Sequence, residues 1–332
     1  MRRRTTWAVS VAAAALVALT GCSTSGSSAS SSSPAVSGSG SQAASTGSYY
    51  WINHGSASDP FWVGAAKGAT QAGQDLGVDV KQSFSNGDVS AEVEAVNAAI
   101  AANAAGIAVS SPKDGALKEV IAKATAANIP VVMFNTDDPS TSRLAYVGAN
   151  LRQAGVTWAQ YLVDNKLVKS GDYVWMPVEV PGATYQTEEE SGVKSVFDPL
   201  NIKAEVFNAS GDPAKSLSNM TDYLTANASK VNAVIGMGDL VMGNIQKAFT
   251  TAGIKPGQIP VVGWGNTNAT ATAVVAGYVN AGLWQYPDSQ GYLPIALLKM
   301  HNSGMAIGFD VPTTALYDKT NAETYVKLTA AK

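Results

Sequence analysis

The sequence predicts an α/β protein with two doubly wound lobes, each a parallel sheet with helices on both faces. Short apolar runs alternate with amphipathic stretches of about 10–15 residues, a pattern typical of βαβ units. This alternation repeats in the second half of the chain. Both halves also contain the run Ile-Pro-Val-Val, at 129–132 and at 259–262. The repeat indicates two lobes of similar plan.

The first half begins with the apolar run 49–52, predicted as a strand and followed by a helix over 61–76. The second strand is predicted to begin at 78, and the helix 90–103 follows because Val93, Val96 and Ile100 recur at helical spacing. Three later strands are predicted from short apolar runs, and one more helix is predicted from the stretch before Ile129. The later strands are predicted at 106–109, 130–134 and 145–147, and the helix at 115–127.

The second half repeats this order from a strand at 172–176. Further strands are predicted at 202–207, 233–236 and 259–263, and helices at 187–200, 213–226 and 240–252. In sheets of this kind, ligands bind beyond the carboxyl ends of the strands. The sequence therefore predicts a ligand-binding cleft between two lobes.

Composition excludes several classes of function. The formal net charge is −3 and basic residues are scattered, so we expect no nucleic-acid partner. The chain has one cysteine and two histidines, without the spacing of a zinc site. It also lacks the Asp-x-Asn-x-Asp loop of calcium sites. We therefore expect no metal and no cofactor.

The N-terminal segment has the features of a secretory signal. Arg2, Arg3 and Arg4 precede an apolar stretch over 7–19, which is shorter than the roughly 20 residues that span a bilayer. Leu-Thr-Gly-Cys at 19–22 resembles the lipobox of bacterial lipoproteins. The resemblance implies a signal peptide over 1–21 and lipidation of Cys22 on the outer face of the cytoplasmic membrane. The uncharged, Ser-rich stretch over 22–47 is then a flexible linker.

The remainder of the chain resembles the ribose/galactose-type periplasmic binding proteins, the substrate-binding components of ABC importers. The landmarks are Asp-Pro-Phe-Trp at 59–62, the runs at 106–109, 129–135 and 146–148, Val-Val-Gly-Trp at 261–264 and Trp-Gln-Tyr-Pro-Asp at 284–288. The resemblance implies the type I periplasmic binding protein fold, with three segments forming a hinge. Its lobes would be 48–149 plus 287–311 and 150–286 plus 312–332.

The resemblance also implies which residues bind ligand. Sugar binding needs flat aromatic faces and forked polar groups, and loops beyond strand ends place them well. Asp59 could instead cap a helix, and Phe61 or Trp62 could pack in the core. The predicted ligand-binding residues are His54, Asp59, Phe61, Trp62, Ser111, Asn135, Tyr185, Gln186, Thr187, Asp239, Trp264, Asn266 and Gln285.

The predicted site departs from the family in its charged residues. Asn135 and Thr136 stand where an Asp-Arg pair is usual, and Tyr185 to Thr187 lie where a ligand-binding Arg often occurs. With mainly amide and single-carboxylate contacts, the expected ligand is a small neutral sugar or polyol rather than ribose or galactose itself. The acidic run Glu188-Glu189-Glu190 is interpreted as a solvated first turn of a helix.

The sequence suggests three possible functions and supports them unequally. The first is a monomeric, lipid-anchored receptor that delivers a monosaccharide or sugar alcohol to an ABC permease. The second is a sensing receptor that hands a quorum-type or chemotactic ligand to a membrane sensor, and the fold alone does not separate it from the first. An enzyme is disfavoured, because no nucleophile motif or flanking carboxylate pair is present.

Overall fold

The structure is a computed structural model that describes residues 47–330. The predicted signal peptide, Cys22 and all but the last residue of the predicted linker lie outside the described residues. The strands are β1 (Tyr49–Asn53), β2 (Val80–Phe84), β3 (Gly106–Val109), β4 (Val131–Phe134), β5 (Ala145–Gly148), β6 (Tyr173–Val178), β7 (Lys203–Asn208), β8 (Ala233–Gly236), β9 (Val261–Trp264), β10 (Ala281–Trp284), β11 (Val311–Pro312) and β12 (Ala315–Asp318). The helices are α1 (Pro60–Leu76), α2 (Val89–Ala101), α3 (Lys118–Ala126), α4 (Leu151–Asp164), α5 (Thr184–Phe197), α6 (Pro213–Asn227), α7 (Asp239–Thr251), α8 (Asn268–Val275), α9 (Pro287–Asn302) and α10 (Ala322–Ala330).

The strands form two six-stranded sheets of matching order. The first sheet runs β11-β5-β4-β3-β1-β2 and is parallel throughout. The second runs β12-β10-β9-β8-β6-β7, and its strands are parallel except for β12, which pairs antiparallel with β10. Their central strands are buried on both faces, which explains why they read as unbroken apolar runs. The predicted fold class is confirmed.

Aspartates at strand ends begin several of the helices. Asp59 accepts a hydrogen bond from the amide of Phe61 at 2.9 Å, and Pro60 occupies the first helical position of α1. Asp212 and Pro213 start α6 in the same way. An aspartate cap satisfies one of the free amides of the first turn, and proline has no amide to lose there. These caps fix where α1 and α6 begin.

The chain passes between the sheets three times, after β5, after β10 and after β11. The side chain of Gln290 donates to the carbonyl of Gln285 and to the hydroxyl of Thr313, each at 3.0 Å. The amide of Thr313 donates to the carbonyl of Gly148 at 3.1 Å. These bonds tie the three crossings to one another.

One helix pair in each half of the molecule packs backbone against backbone at glycines. In the pair α1 and α9, a Cβ added at Gly291 would lie 1.8 Å from the carbonyl oxygen of Ala65. In the pair α4 and α5, a Cβ added at Gly192 would lie 2.0 Å from the carbonyl oxygen of Arg152. Only glycine allows helix axes to approach this closely. The second pair also holds the backbone of Glu189, against which a Cβ at Gly155 would collide.

Glu92 is a buried carboxyl without a partner. It lies on the face of α2 that carries Val96 and Ala99, it is fully buried, and neither of its carboxyl oxygens has a hydrogen-bond partner among the described residues. Burial raises the pKa of Glu92 to about 8. The folded chain therefore keeps a proton that the unfolded chain releases above a pH of about 4.3.

We expect Glu92 to make stability fall as the pH rises. Its contribution is full below about pH 4.3, where both states are protonated, and it is lost as the pH rises towards the folded pKa of about 8. Glu92→Gln should gain about 2–4 kcal/mol relative to the unmodified chain across this window. Urea unfolding at several pH values measures this, with the exposed Glu94→Gln as control. Parallel pH profiles for Glu92→Gln and the unmodified chain would contradict the assignment.

Candidate functional site

A cavity of about 590 Å³ lies where the carboxyl ends of the two sets of parallel strands meet. The first sheet contributes the loops that follow β1, β2, β3 and β4, and the second contributes the ends of β6, β8, β9 and β10. This volume is within the range of small-molecule sites. The position is the one that a doubly wound sheet favours for ligand binding.

Aromatic rings form the wall contributed by the first sheet. Trp62 meets Phe61 edge-on at a centroid distance of 5.0 Å and His54 at 4.9 Å. The buried Trp51 stacks on Phe134 below, and both rings contact Trp62 at their edges. Each ring thus has its orientation fixed by its neighbours. The wall is a rigid apolar surface, suited to the C–H face of a small ring.

Polar groups flank this wall. His54 Nδ1 lies 2.8 Å from the hydroxyl of Ser110, and burial lowers the pKa of His54 to about 4. The imidazole is therefore neutral near pH 7 and acts as a hydrogen-bonding group. Asn135 has a left-handed backbone, with a φ of 61°, and its carbonyl accepts a hydrogen bond from Tyr146 at 2.6 Å. This conformation turns the chain at the end of β4, where Asn135 lines the cavity.

Trp264 and Glu189 form a pair on the wall contributed by the second sheet. Trp264 Nε1 donates to Glu189 Oε1 at 2.9 Å, and its ring meets Trp158 edge-on at 4.9 Å. Glu189 is fully buried, so its interpretation as part of a solvated turn was wrong. The reason is its place on α5, where the face that carries Gly192 and Val193 packs inward.

Glu179 follows β6, and its side chain lies against the first turn of α7. Its Oε1 accepts hydrogen bonds from the amides of Leu240 at 2.9 Å and Val241 at 3.1 Å, in the first turn of that helix. The backbone of Gly238 runs so close to this carboxyl that an added Cβ would lie 1.7 Å from Glu179 Oε2. The glutamate is thus held in place at the wall of the cavity.

Asp239 is linked to the second crossing through Asn266. The amide and the side chain of Asn266 donate to Asp239, at 3.1 and 2.8 Å, and Asn266 Oδ1 accepts from the amide of Gln285 at 2.6 Å. Because both ends of the Asn266 side chain are used, its orientation is fixed. The carboxylate in the cavity and the crossing at Gln285 are therefore parts of one hydrogen-bonded unit.

Four carboxyl groups line the cavity, and burial raises the pKa of each: Asp59, Glu179, Glu189 and Asp239. Burial raises the pKa of Asp239 to about 7, hydrogen bonds from Asn266 oppose the rise, and the charges of Asp59 and Glu179 add to it. Burial likewise raises the pKa of Glu189 well above its ordinary value, and Glu179 and Asp239 contribute. The cavity thus gathers four carboxyl groups away from water, where burial favours their protonated forms.

A direct contact joins the two halves of the site. The amide of Asp114, after β3, donates to the hydroxyl of Thr184 at the start of α5, and that hydroxyl donates to Asp114 Oδ1, both at 3.2 Å. Asp59 and Glu179, from opposite walls, also interact electrostatically. The loops beyond the two sheets are therefore in contact beside the cavity.

The structure brings most of the predicted residues together. Those that line the cavity are His54, Asp59, Phe61, Trp62, Asn135, Tyr185, Asp239, Trp264 and Gln285. Asp59 is both a helix cap and a cavity residue, so its two interpretations are compatible. Trp284, next to Gln285, packs in the core beside Tyr325 and does not line the cavity.

Ser111, Gln186, Thr187 and Asn266 do not line the cavity. Ser111 is buried and donates to the carbonyl of Lys113. Gln186 accepts from the amide of Gly182 and donates to Glu190, whereas Thr187 is exposed in the first turn of α5. Asn266 acts through Asp239, as described above.

The described residues contain no group of three or more Asp, Glu, His or Cys side chains placed to hold a metal ion. Over the same residues, none of the helices is long and apolar enough to cross a membrane.

Comparison with known proteins gives sequence relatives and solved structures of similar fold. The xylose/arabinose-binding protein of Sulfolobus acidocaldarius is 28% identical over 76% of this chain, which spans 65% of that protein's length. The D-allose-binding periplasmic protein of Escherichia coli is 24% identical over 76% of this chain and 84% of its own. A carbohydrate transporter from Acidothermus cellulolyticus, solved with myo-inositol, superposes with a TM-score of 0.76 at 22% identity, covering 86% of this chain and 98% of the other.

A family model described as a periplasmic binding protein domain matches residues 49–305. This range contains both walls of the cavity and ten of the twelve strands. The resemblance inferred from the sequence landmarks is thereby confirmed, and the chain belongs to the periplasmic binding protein family.

Proposed function

We propose that the protein is an extracytoplasmic solute-binding lipoprotein that holds a monosaccharide or sugar alcohol between its two lobes and delivers it to an ABC importer. One observation carries the proposal: the indole rings of Trp62, on α1, and Trp264, at the end of β9, line one cavity together with Asn135, Asp59 and Asp239. Flat apolar faces and forked polar groups are what a small polyhydroxylated ring requires. The names of the relatives, which are binding proteins for xylose, arabinose and allose, support the same class of ligand.

The proposed mechanism is closure of the lobes around the ligand. The ligand would bridge the two walls, expel water and stabilise a closed form that the permease recognises. The linked crossings near Gln285 and Thr313 would be the hinge between lobes 48–149 plus 287–311 and 150–286 plus 312–332. The protein would act as a monomer and would reach the outer face of the cytoplasmic membrane through lipid on Cys22. It would bind its ligand without changing it chemically.

Calorimetric titration with pentoses, hexoses and polyols tests the binding step. We expect one-to-one binding at micromolar affinity or tighter, about −8 kcal/mol or more favourable, to a small subset of the panel. Asn135→Ala should weaken that binding at least about tenfold, because it removes a polar contact from the cavity wall. Asn128→Ala is the matched control, since Asn128 is exposed, has a similar φ of 59° and does not line the cavity.

Equal affinity of the two alanine variants would contradict the assignment of the cavity as the sugar site.

The delivery step is tested in cells, where loss of the protein should abolish uptake of the sugar identified by titration. Binding of a sugar whose uptake does not depend on the protein would favour the sensing role instead.

A further inference from the structure

The interior of the cavity is acidic and lacks a compensating cation. Asp59, Glu179, Glu189 and Asp239 all line it. In the described part of the chain, the only lysine or arginine that lines the cavity is Lys113, and its side chain is exposed. His54 is half-buried, and its lowered pKa keeps it neutral. A group of buried carboxyls is costly unless positive charge or hydrogen-bond donors satisfy it.

The hydrogen bonds on the protein side leave part of this acidic group unsatisfied. Glu179 and Asp239 each accept two hydrogen bonds from backbone or amide donors. Glu189 accepts one, from Trp264, and its second oxygen, Oε2, is buried without a partner among the described residues. The side-chain oxygen of Gln285, also in the cavity wall, is unpartnered as well. Two buried side-chain oxygens of cavity-lining residues are therefore without a hydrogen-bond partner among the described residues.

The chemistry of the walls selects among candidate donors. A metal ion is disfavoured because the described acidic side chains do not form a group that could ligate one. A neutral polyol would offer hydroxyl donors but no positive charge to favour the ionised forms of the buried carboxyls, whose pKa values burial raises. An ammonium group offers several N–H donors and a positive charge, and it is attracted to aromatic faces such as those of Trp62 and Trp264.

We propose that the ligand of this cleft is an amino sugar or amino polyol, whose protonated amine is held by Glu189 within the acidic, aromatic cavity. This inference rests on the proposed function, in which the ligand is a sugar or sugar alcohol, and it replaces the neutral ligand expected from the sequence.

Matched pairs of probes test the charge of the ligand at constant shape. The purified protein is titrated at neutral pH with D-glucosamine and D-glucose, D-galactosamine and D-galactose, and 1-amino-1-deoxysorbitol and sorbitol. N-acetylglucosamine serves as a probe that keeps the nitrogen and loses the charge. We expect at least one amine to bind at least about tenfold more tightly than its neutral partner, which corresponds to about 1.4 kcal/mol.

Glu189→Gln tests the role of the carboxylate. A glutamine keeps an oxygen to accept from Trp264 but removes the charge. We expect the preference for the amine over its neutral partner to fall at least about tenfold, whereas a merely structural role would weaken both probes equally. Glu190→Gln is the matched control, because Glu190 pairs with Lys194 and Gln186 and does not line the cavity.

The outcomes separate this inference from the proposed function. Equal or tighter binding of neutral sugars, or an amine preference unchanged in Glu189→Gln, overturns the inference and leaves the sugar-binding function standing. Tight binding of simple amines such as choline or putrescine, with no response to any sugar or amino sugar, overturns both. Amine preference that is lost in Glu189→Gln and retained in Glu190→Gln supports the inference.

Discussion

Replacing Gly291 with alanine is expected to lower the free energy of unfolding by about 3 kcal/mol. The added Cβ would lie 1.8 Å from the carbonyl oxygen of Ala65 and 2.7 Å from the amide nitrogen of Ala69, so α1 and α9 would have to separate. Alanine's better helix propensity recovers at most about 1 kcal/mol. The collision is with backbone, which cannot rotate away as a flexible side chain can. The steric cost therefore exceeds the gain in propensity.

Urea unfolding followed by circular dichroism measures this effect. Gly243→Ala is the matched control, because Gly243 is inside α7 and the nearest atom to its added Cβ is the hydroxyl of Thr267 at 3.6 Å. With room for the methyl group, this change should raise the free energy of unfolding by up to about 1 kcal/mol. Similar stabilities for the two variants would mean that the close approach of α1 and α9 is not essential to the fold.

The sequence predicted the regular βα units well because their strands are buried on both faces. The strands β3 and β8 occur at the residues predicted, since each is a short apolar run bounded by turn residues. The helix α9 was not identified from periodicity, because Gly291 and Pro294 interrupt its pattern. Tertiary packing outweighs the low helix propensity of Gly291, because the close contact between α1 and α9 requires glycine at this position.

The other elements that were not predicted include α4 and α10, and some of the rest have weak local signals. The strand β11 has two residues, and most residues of β12 are not buried, so neither forms a short apolar run like those of the central strands. The strand β10 was missed although it is as long and as buried as β3 and β8. The helix α8 spans eight residues rich in threonine and alanine, without a clear apolar face. Their existence depends on pairing with distant strands and helices, which a local pattern does not encode.

The candidate site was predicted mainly from the family resemblance. The resemblance implied Asn135, Trp264 and the aromatic pair after β1, and these positions lie near the carboxyl ends of parallel strands, which meet at one edge. It missed Glu179, since β6 was predicted to end at 176 and extends to Val178. Glu189 was missed because three consecutive acids resemble a solvated turn. The helical spacing of Gln186, Glu189 and Val193 carries the signal that this face is buried.

Asp239→Asn is expected to weaken ligand binding by about 10–100-fold, because hydrogen bonds to a charged group contribute about 1.5–3 kcal/mol. The side chain of Asn266 donates to Asp239 Oδ2 and cannot turn over, since its own oxygen accepts from Gln285. An asparagine at 239 has only one side-chain oxygen for these two donors. If its oxygen accepts from the backbone amide of Asn266, its own N–H group faces the side-chain N–H group of Asn266; if it turns over, the hydrogen bond from the backbone amide is lost. The change therefore disturbs both the cavity wall and the crossing at Gln285, and calorimetric titration measures the loss.

An exchange of the two side chains separates these effects. In the double variant Asp239→Asn with Asn266→Asp, the amide at 239 donates to a carboxylate at 266, whose other oxygen can still accept from the amide of Gln285. The hydrogen-bonded unit is restored, but the charge has moved out of the cavity wall. We expect thermal stability to recover and affinity to remain at least about tenfold weaker, because the ligand still lacks its carboxylate partner. Full recovery of affinity would instead mean that Asp239 acts only by fixing the crossing and does not contact the ligand.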